Sequence, residues 1–344
     1  MTGRDEIVDA IEGSHDGDSP PAVFTQTGTY EQMEACGRFW PEANWDPAAM
    51  AELALQLSRR YGFSTARVPF SITTEAETLG CGVDPGAKNR QPSISKAPFS
   101  VCDRPDLPLQ PEEFPFAGTC GKVMESLGRI RAEKDGVFLV AGMVDPAFLT
   151  MNLLGAEDFL MATISDPDGC LRWIDSMVPY ISEYGKAMSE RSDCVMMICS
   201  AGTGMLSPDM VDRTIVPGDR KVFASIRESF RAAHCCEAAG KVSEGLFSLG
   251  EDVLSMVTDD DPEGVLRSAG DVKVIGGSNP VRDLLLGDPK SIASKAKRYS
   301  DMGYALIGPE CGVPPMTPGK NLAALASYRV GARRGFSRRE CINP

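Results

Sequence analysis

The segment Arg231-Ala232-Ala233-His234-Cys235-Cys236-Glu237 carries one of only two histidines in 344 residues and sets two cysteines beside it. A short apolar run leads into it, so it is expected to be the end of a buried strand. Residues two apart on a strand face the same way, so His234 and Cys236 project together and Cys235 points to the other side. An imidazole and a thiolate on one face form half of a zinc site. A third ligand is offered far downstream by Cys311, in Gly308-Pro309-Glu310-Cys311-Gly312-Val313-Pro314-Pro315, just past the apolar residues 304–307. Free cysteine is also an ordinary small core residue, so spacing alone fits a structural strand end as well as a metal site. The architecture has to separate the two.

That architecture is legible as an alternation. The first strand is expected at Ala22-Val23-Phe24, after a helix over residues 4–13 and a polar connection holding the second histidine, His15, which is expected to be a solvated loop residue. Asp46-Pro47 starts a helix, with an acceptor at N-cap and proline at N1. Further strands centre on Arg67, Phe138, Met196, Ala233, Leu254, Val274 and Leu306. Helices are expected between them, including 71–79, 146–154, 242–249 and 280–286. Residues 81–115 are rich in proline and glycine and have no clear period. A connection that long is usually functional, and a rim or lid segment is expected there.

Counting Val23, eight strands alternate with helices, the count of a closed (β/α)8 TIM barrel. No glycine-rich dinucleotide fingerprint follows the first strand, which argues against an open doubly wound sheet. The whole chain, 1–344, is expected to form one barrel, with 1–21 as an N-terminal helical extension. Barrel enzymes work at the C-terminal ends of their strands. His234, Cys236 and Cys311 all fall there. So do Gln26 after the first strand, Ser71 after the second, Asp145 after the third, Ser200-Ala201-Gly202-Thr203-Gly204 after the fourth and Asn279 after the seventh. Glu75 and Glu77 either face the pocket or form an ordinary acidic first turn of a helix. Asp145 and Asn279 each precede a proline, which is also a common helix start.

The bulk composition narrows the partners. A net charge of −13 repels phosphate backbones and anionic lipid, so nucleic acid and membrane partners are not expected. No apolar run approaches the length of a membrane span, and the N-terminus lacks a signal-peptide layout. Eleven cysteines without disulfide-framework spacing suit a reducing, cytoplasmic setting.

Residues 308–318 followed by Asn321-Leu322 resemble a segment of the uroporphyrinogen decarboxylase-like superfamily. Within it the chain is most similar to the methylcobamide:coenzyme M methyltransferases. The similarity is carried by Phe24-Thr25-Gln26-Thr27-Gly28-Thr29, residues 31–37, Trp40-Pro41-Glu42-Ala43, Arg67-Val68-Pro69-Phe70 leading to Glu75-Ala76-Glu77, Leu206-Ser207-Pro208 and Asn279-Pro280-Val281. The arginine-bearing motif of the decarboxylases near the first strand is not found. The resemblance implies a zinc ion on His234, Cys236 and Cys311, and substrate contacts from Gln26, Ser71, Glu75 and Asn279. It also implies transfer of a methyl group from a methylcorrinoid on a corrinoid protein to a small thiol, coenzyme M. Three departures bear on the acceptor. Cys235 stands where the family has an apolar residue, Glu237 where it has glycine, and Ser71 where it often has an acidic residue. A different acceptor such as a folate or pterin, a tetrapyrrole decarboxylase, and a non-catalytic relative that binds a corrinoid protein are the alternatives at this point.

Overall fold

The computed structural model describes residues 2–133, 136–200, 202, 204 and 206–329. Among the described residues nine strands run in chain order: β1 (Thr65–Val68), β2 (Gly82–Asp84), β3 (Ser93–Lys96), β4 (Phe138–Val144), β5 (Cys194–Ile198), β6 (Phe230–Ala238), β7 (Val253–Val257), β8 (Lys273–Ser278) and β9 (Leu306–Pro309). Seven of them form a curled parallel sheet in the order β1-β4-β5-β6-β7-β8-β9, and β2 pairs with β3 antiparallel. The helices are α1 (Gly3–Glu12), α2 (Tyr30–Cys36), α3 (Pro47–Tyr61), α4 (Thr74–Thr78), α5 (Gly118–Ala132), α6 (Pro146–Leu154), α7 (Ala156–Ser165), α8 (Pro167–Ser189), α9 (Pro208–Thr214), α10 (Val216–Ser225), α11 (Pro262–Ala269), α12 (Pro289–Met302) and α13 (Gly319–Ala326). This is the α/β, TIM-barrel-like fold expected from the sequence.

The expected first strand is the one part of the barrel that does not form as a ladder. Ala22 N–H donates to Ile307 O (2.9 Å) and Ile307 N–H donates to Pro20 O (3.1 Å) on one side. Val23 N–H donates to the Thr65 hydroxyl (3.1 Å) on the other. Residues 20–24 therefore fill the gap between β9 and β1 in extended form, with isolated bridges Pro21↔Ile307 and Thr27↔Val313. Prolines 20 and 21 have no N–H to give, and Val23 spends its own on a side chain, so regular pairing stops there. Gly308 is needed for this closure, because a Cβ on it would run into Ala22 O.

Inward residues fill the lower barrel: Phe24, Phe138, Val140, Met196, Ala232, Ile275 and Leu306 form one buried cluster. Ile7, Ala10 and Ile11 of α1 belong to the same cluster, so the N-terminal helix plugs the end opposite the strand C-termini. Six helices, α3, α6, α8, α9, α11 and α12, begin with Asp or Ser at N-cap accepting a backbone N–H and proline just inside. Such starts fix where each of these helices begins.

Three segments differ from expectation. Residues 242–249 do not form a helix; two short 3₁₀ turns, Ala239–Lys241 and Glu244–Ser248, stand there. The stretch 81–115 contains the β2–β3 hairpin, and its remainder lies along α8: Phe99 packs on Trp173 (ring centroids 5.2 Å) and Tyr180 donates to Leu109 O (2.7 Å). Pro280–Leu285 is π-helical. His15 is half-buried, its Nε2 3.1 Å from Asp18 O.

Candidate metal centre

Register brings the chemistry together. β6 pairs with β5 at Ile198↔His234 and with β7 at His234↔Ser255. His234 and Ser255 are thus neighbours at one level, both buried, and His234 Nδ1 lies 3.0 Å from Ser255 Oγ. Just beyond, the β6–β7 register shifts between Cys235 and Ala238. A bulge of this kind re-aims side chains and is common beside active sites. Cys236, in that bulge, sets its Sγ 3.3 Å from His234 Nε2. Cys235 goes the other way, into the apolar core with 1% exposure.

Cys311 arrives from the far end of the chain. β9 ends at Pro309, and Glu310 N–H donates to Ser278 O (3.0 Å). The Thr25 hydroxyl donates to Cys311 O (2.9 Å) and Val313 N–H donates to Gln26 O (3.0 Å), tying the loop to the first extended segment. These anchors leave Cys311 Sγ 3.5 Å from Cys236 Sγ. The His234 nitrogen and the two sulfurs all lie within 4.8 Å of one another.

The donor set and its spacing fit a zinc ion. Zinc–sulfur and zinc–nitrogen distances of about 2.3 and 2.0–2.1 Å put adjacent tetrahedral ligands about 3.5–3.8 Å apart. The two measured edges fall within a few tenths of an ångström of that. Three protein ligands leave a fourth position for a substrate atom, the pattern of catalytic rather than structural zinc. With Nε2 given to a metal ion, Nδ1 would carry the proton and donate to Ser255 Oγ, 3.0 Å away, which would fix the ring's orientation. The sulfurs also share charge between themselves. The Cys311 thiol is held well below its ordinary value by its hydrogen bond with Cys236, with His234 adding to the effect, while Cys236 is pushed up by the same pairing and by burial.

The other candidates lie in distinct places. Gln26 sits against the Cys311 loop: a Cβ on Gly312 would collide with its amide. Ser71 is buried and turned into a local turn, its hydroxyl 2.8 Å from Thr73 Oγ1 and accepting Thr73 N–H. Asn279 caps the π-helix, accepting from Val281 and Arg282 N–H. Asp145 caps α6 and accepts from Ser200 N–H and hydroxyl; Ala201 and Thr203 of that loop lie outside the described residues. Glu77 accepts from Trp45 Nε1 (2.8 Å) and Thr119 (2.9 Å), which assigns it to packing of the outer helices.

Glu75 is buried (1% exposed) and accepts Val144 N–H at 3.0 Å. Desolvation pushes its carboxyl up to about 7, against the opposing pull of Val144 N–H and Arg67. Arg67 shares this interior, its guanidinium lying where Gly142 lacks a Cβ, and burial lowers it to about 10.

Ser255 was not singled out in the sequence. Its signal is a lone hydroxyl in the apolar strand Val253-Leu254-Ser255-Met256-Val257, in phase with the inward positions.

A cavity of about 160 Å³ opens between the ends of β5 and β6 and helices α6 and α7, with Cys235, Cys236 and Glu237 in its wall. A hollow of about 880 Å³ lies at the opposite end around Arg4, Asp193 and Phe230. Arg4 and Arg131 already pair with Asp193 there, and none of the trio lines it.

A family model described as uroporphyrinogen decarboxylase (URO-D) matches residues 2–330. The sequence is 31% identical over 315 residues to the methylcobamide:CoM methyltransferase MtbA of Methanosarcina mazei, covering 89% of this chain and 91% of that protein. It is 28% identical over 335 residues to the methylcobamide:CoM methyltransferase MtaA of Methanosarcina barkeri, covering 96% and 98%. Among solved structures, a methyltransferase from Methanosarcina mazei matches with a TM-score of 0.90 at 26% identity, over 97% of this chain and 99% of that one.

Proposed function

The chain belongs to the uroporphyrinogen decarboxylase family, and from that premise we propose that it is a methyltransferase moving a methyl group from a methylated corrinoid to a thiol, coenzyme M by the names of its relatives. The observation that carries this reading is the convergence of His234, Cys236 and Cys311, two strand ends 75 residues apart, within reach of one ion.

Zinc held by His234 Nε2 and the two sulfurs would supply what a free thiol lacks, since a thiol pKa of about 8.5 leaves little thiolate at neutral pH. Two protein thiolates and a neutral imidazole balance the ion's charge, which leaves an entering sulfur its nucleophilicity. Ser255 holds the imidazole in the tautomer that presents Nε2. Thr25 holds the Cys311 loop through its carbonyl. Gln26 stands against that loop as a polar group for the acceptor, and Glu75 stands deeper in the barrel with Arg67. Ser71 and Asn279 shape the rim through the turns they cap.

The methyl donor arrives on a corrinoid protein. Among the described residues, the exposed large apolar side chains are Phe116, Met161, Ile164, Val281, Leu286 and Met316. Each lies on a segment that leaves a strand C-terminus or leads into the next helix at that end. Exposed apolar side chains on these segments, on a chain of net charge −13, support a protein partner at that end. Among the described residues no single helix is long and apolar enough to cross a membrane; the bent pair α6–α7 passes on length and composition, and residues of both helices line the cavity at the ends of β5 and β6. A cytoplasmic site of action accords with the thiol chemistry.

The test is methyl transfer from free methylcobalamin to coenzyme M by zinc-loaded protein, followed by loss of methylcobalamin absorbance. The wild type is expected to turn over. Cys311→Ser is expected to lose both zinc and activity. A Cys311→Ser variant that keeps full activity overturns the reading.

A further inference from the structure

Glu310 stands between the end of β9 and Cys311, and it is fully buried. Its N–H donates to Ser278 O (3.0 Å), which ties it to the end of β8. Its Oε1 accepts the hydroxyl of Thr258, itself fully buried just past β7, at 2.5 Å. Three consecutive strand ends therefore meet at this one residue. The Thr258 side is stiffened from outside. Asp259 accepts from Tyr299 (3.3 Å) and pairs with Lys295 and Arg282. Lys295 also reaches Asp283 (2.6 Å), which accepts Asn279 N–H (2.7 Å) just beyond β8. Gly276 leaves room for the arrangement, because a Cβ there would stand 3.1 Å from the Tyr304 ring and 3.3 Å from the Thr258 side chain.

Packing alone does not account for a carboxyl in this place. Among the described residues, Glu310 Oε2 is buried with no hydrogen-bond partner. A buried oxygen left in that state costs stability, and an apolar side chain would fill the space without that cost. Proteins break such local rules where function asks for it. The adjoining residue is Cys311, which approaches Cys236 from three strands away, with 3.5 Å between the sulfurs. On the far side of Cys311 the loop is fixed by the Thr25 hydroxyl on Cys311 O and by Val313 N–H on Gln26 O. The Glu310 carboxyl fixes the near side.

We propose that Glu310 is a positioning residue for the metal centre: its hydrogen bond with Thr258 sets the reach of Cys311, so that two sulfurs and one imidazole present a preformed zinc site. The proposal rests on the zinc reading above and adds a residue that touches neither metal nor substrate. A preformed site binds without first ordering its ligands. A loop free to drift offers Cys311 only part of the time, and the apparent affinity falls by that fraction.

The experiment measures zinc affinity of the full chain by competition with a chelator, beside thermal melting of the metal-free form. Glu310→Ala and Thr258→Val are each expected to weaken zinc binding about tenfold, the lower end of what outer partners of metal ligands contribute. The double variant is expected to be no weaker than either single one, because both remove the same bond. Glu310→Gln keeps an oxygen that accepts the Thr258 hydroxyl, and its zinc affinity is expected to stay within about threefold of wild type. A role in stability alone would lower the melting temperature of the Ala and Val variants and leave their zinc affinity within twofold of wild type, which overturns the proposal. A Gln variant as weak as the Ala variant, or a double variant weaker by the product of the two single losses, overturns it as well. Wild type that binds no zinc refutes the metal reading itself, and this proposal falls with it.

Discussion

Replacing Ser255 by alanine isolates what holds the imidazole. Ser255 is fully buried and His234 is 3% exposed. The Ser255 hydroxyl is the partner of His234 Nδ1, at 3.0 Å. Removing it leaves a buried ring N–H without an acceptor and frees the ring to turn. Outer partners of metal-bound histidines are worth about 10–100-fold in metal affinity, or about 1.4–2.7 kcal/mol. The unpaired N–H alone costs about 1–3 kcal/mol, so the two figures agree. The assay is competitive titration of zinc against a chelator of known affinity, run beside thermal melting of the metal-free form. A 10–100-fold weaker zinc affinity is expected. Affinity within twofold of wild type would show that the Ser255 contact does not orient the ligand, and the account of the tautomer would fall.

Other perturbations probe other parts. Glu75 binds its proton more tightly folded than unfolded, since burial raises it from 4.5 to about 7. Its contribution to stability is therefore complete below about pH 4.5 and lost as pH rises through about 7, on the order of 3 kcal/mol. Glu75→Gln is expected to flatten the denaturation-midpoint profile across that window; an unchanged slope refutes the assignment. Ile164 and Met161 are 79% and 61% exposed on α7. Changing both to Asp is expected to lower the rate with a protein-bound methylcorrinoid at least tenfold more than the rate with free methylcobalamin, and equal losses would place the partner elsewhere. Gly308→Ala sets a methyl group against Ala22 O and is expected to cost about 1–3 kcal/mol, read as a lower melting temperature.

Much of this molecule is written in short-range signals. The Asp-Pro and Ser-Pro pairs marked helix starts because cap and proline act locally, and the period of two in His234-Cys235-Cys236 set which side chains face together. What escaped depends on partners remote in sequence. Pro20 and Pro21 prevent a ladder that the apolar run Ala22-Val23-Phe24 suggests, and only Thr65 and Ile307 explain how the gap is filled. Helix α7 starts at Gly155 without a side-chain cap, so nothing local announced it. Ser255 matters only because β6 and β7 pair in one register.

X-ray absorption at the zinc edge of the purified protein tests the centre most directly. One zinc per chain is expected, with two sulfurs at about 2.3 Å and at least one nitrogen at about 2.0–2.1 Å. Cys311→Ser should remove one sulfur from that shell or empty the site. Protein that takes up no zinc, or binds it through a shell without sulfur, would contradict the account.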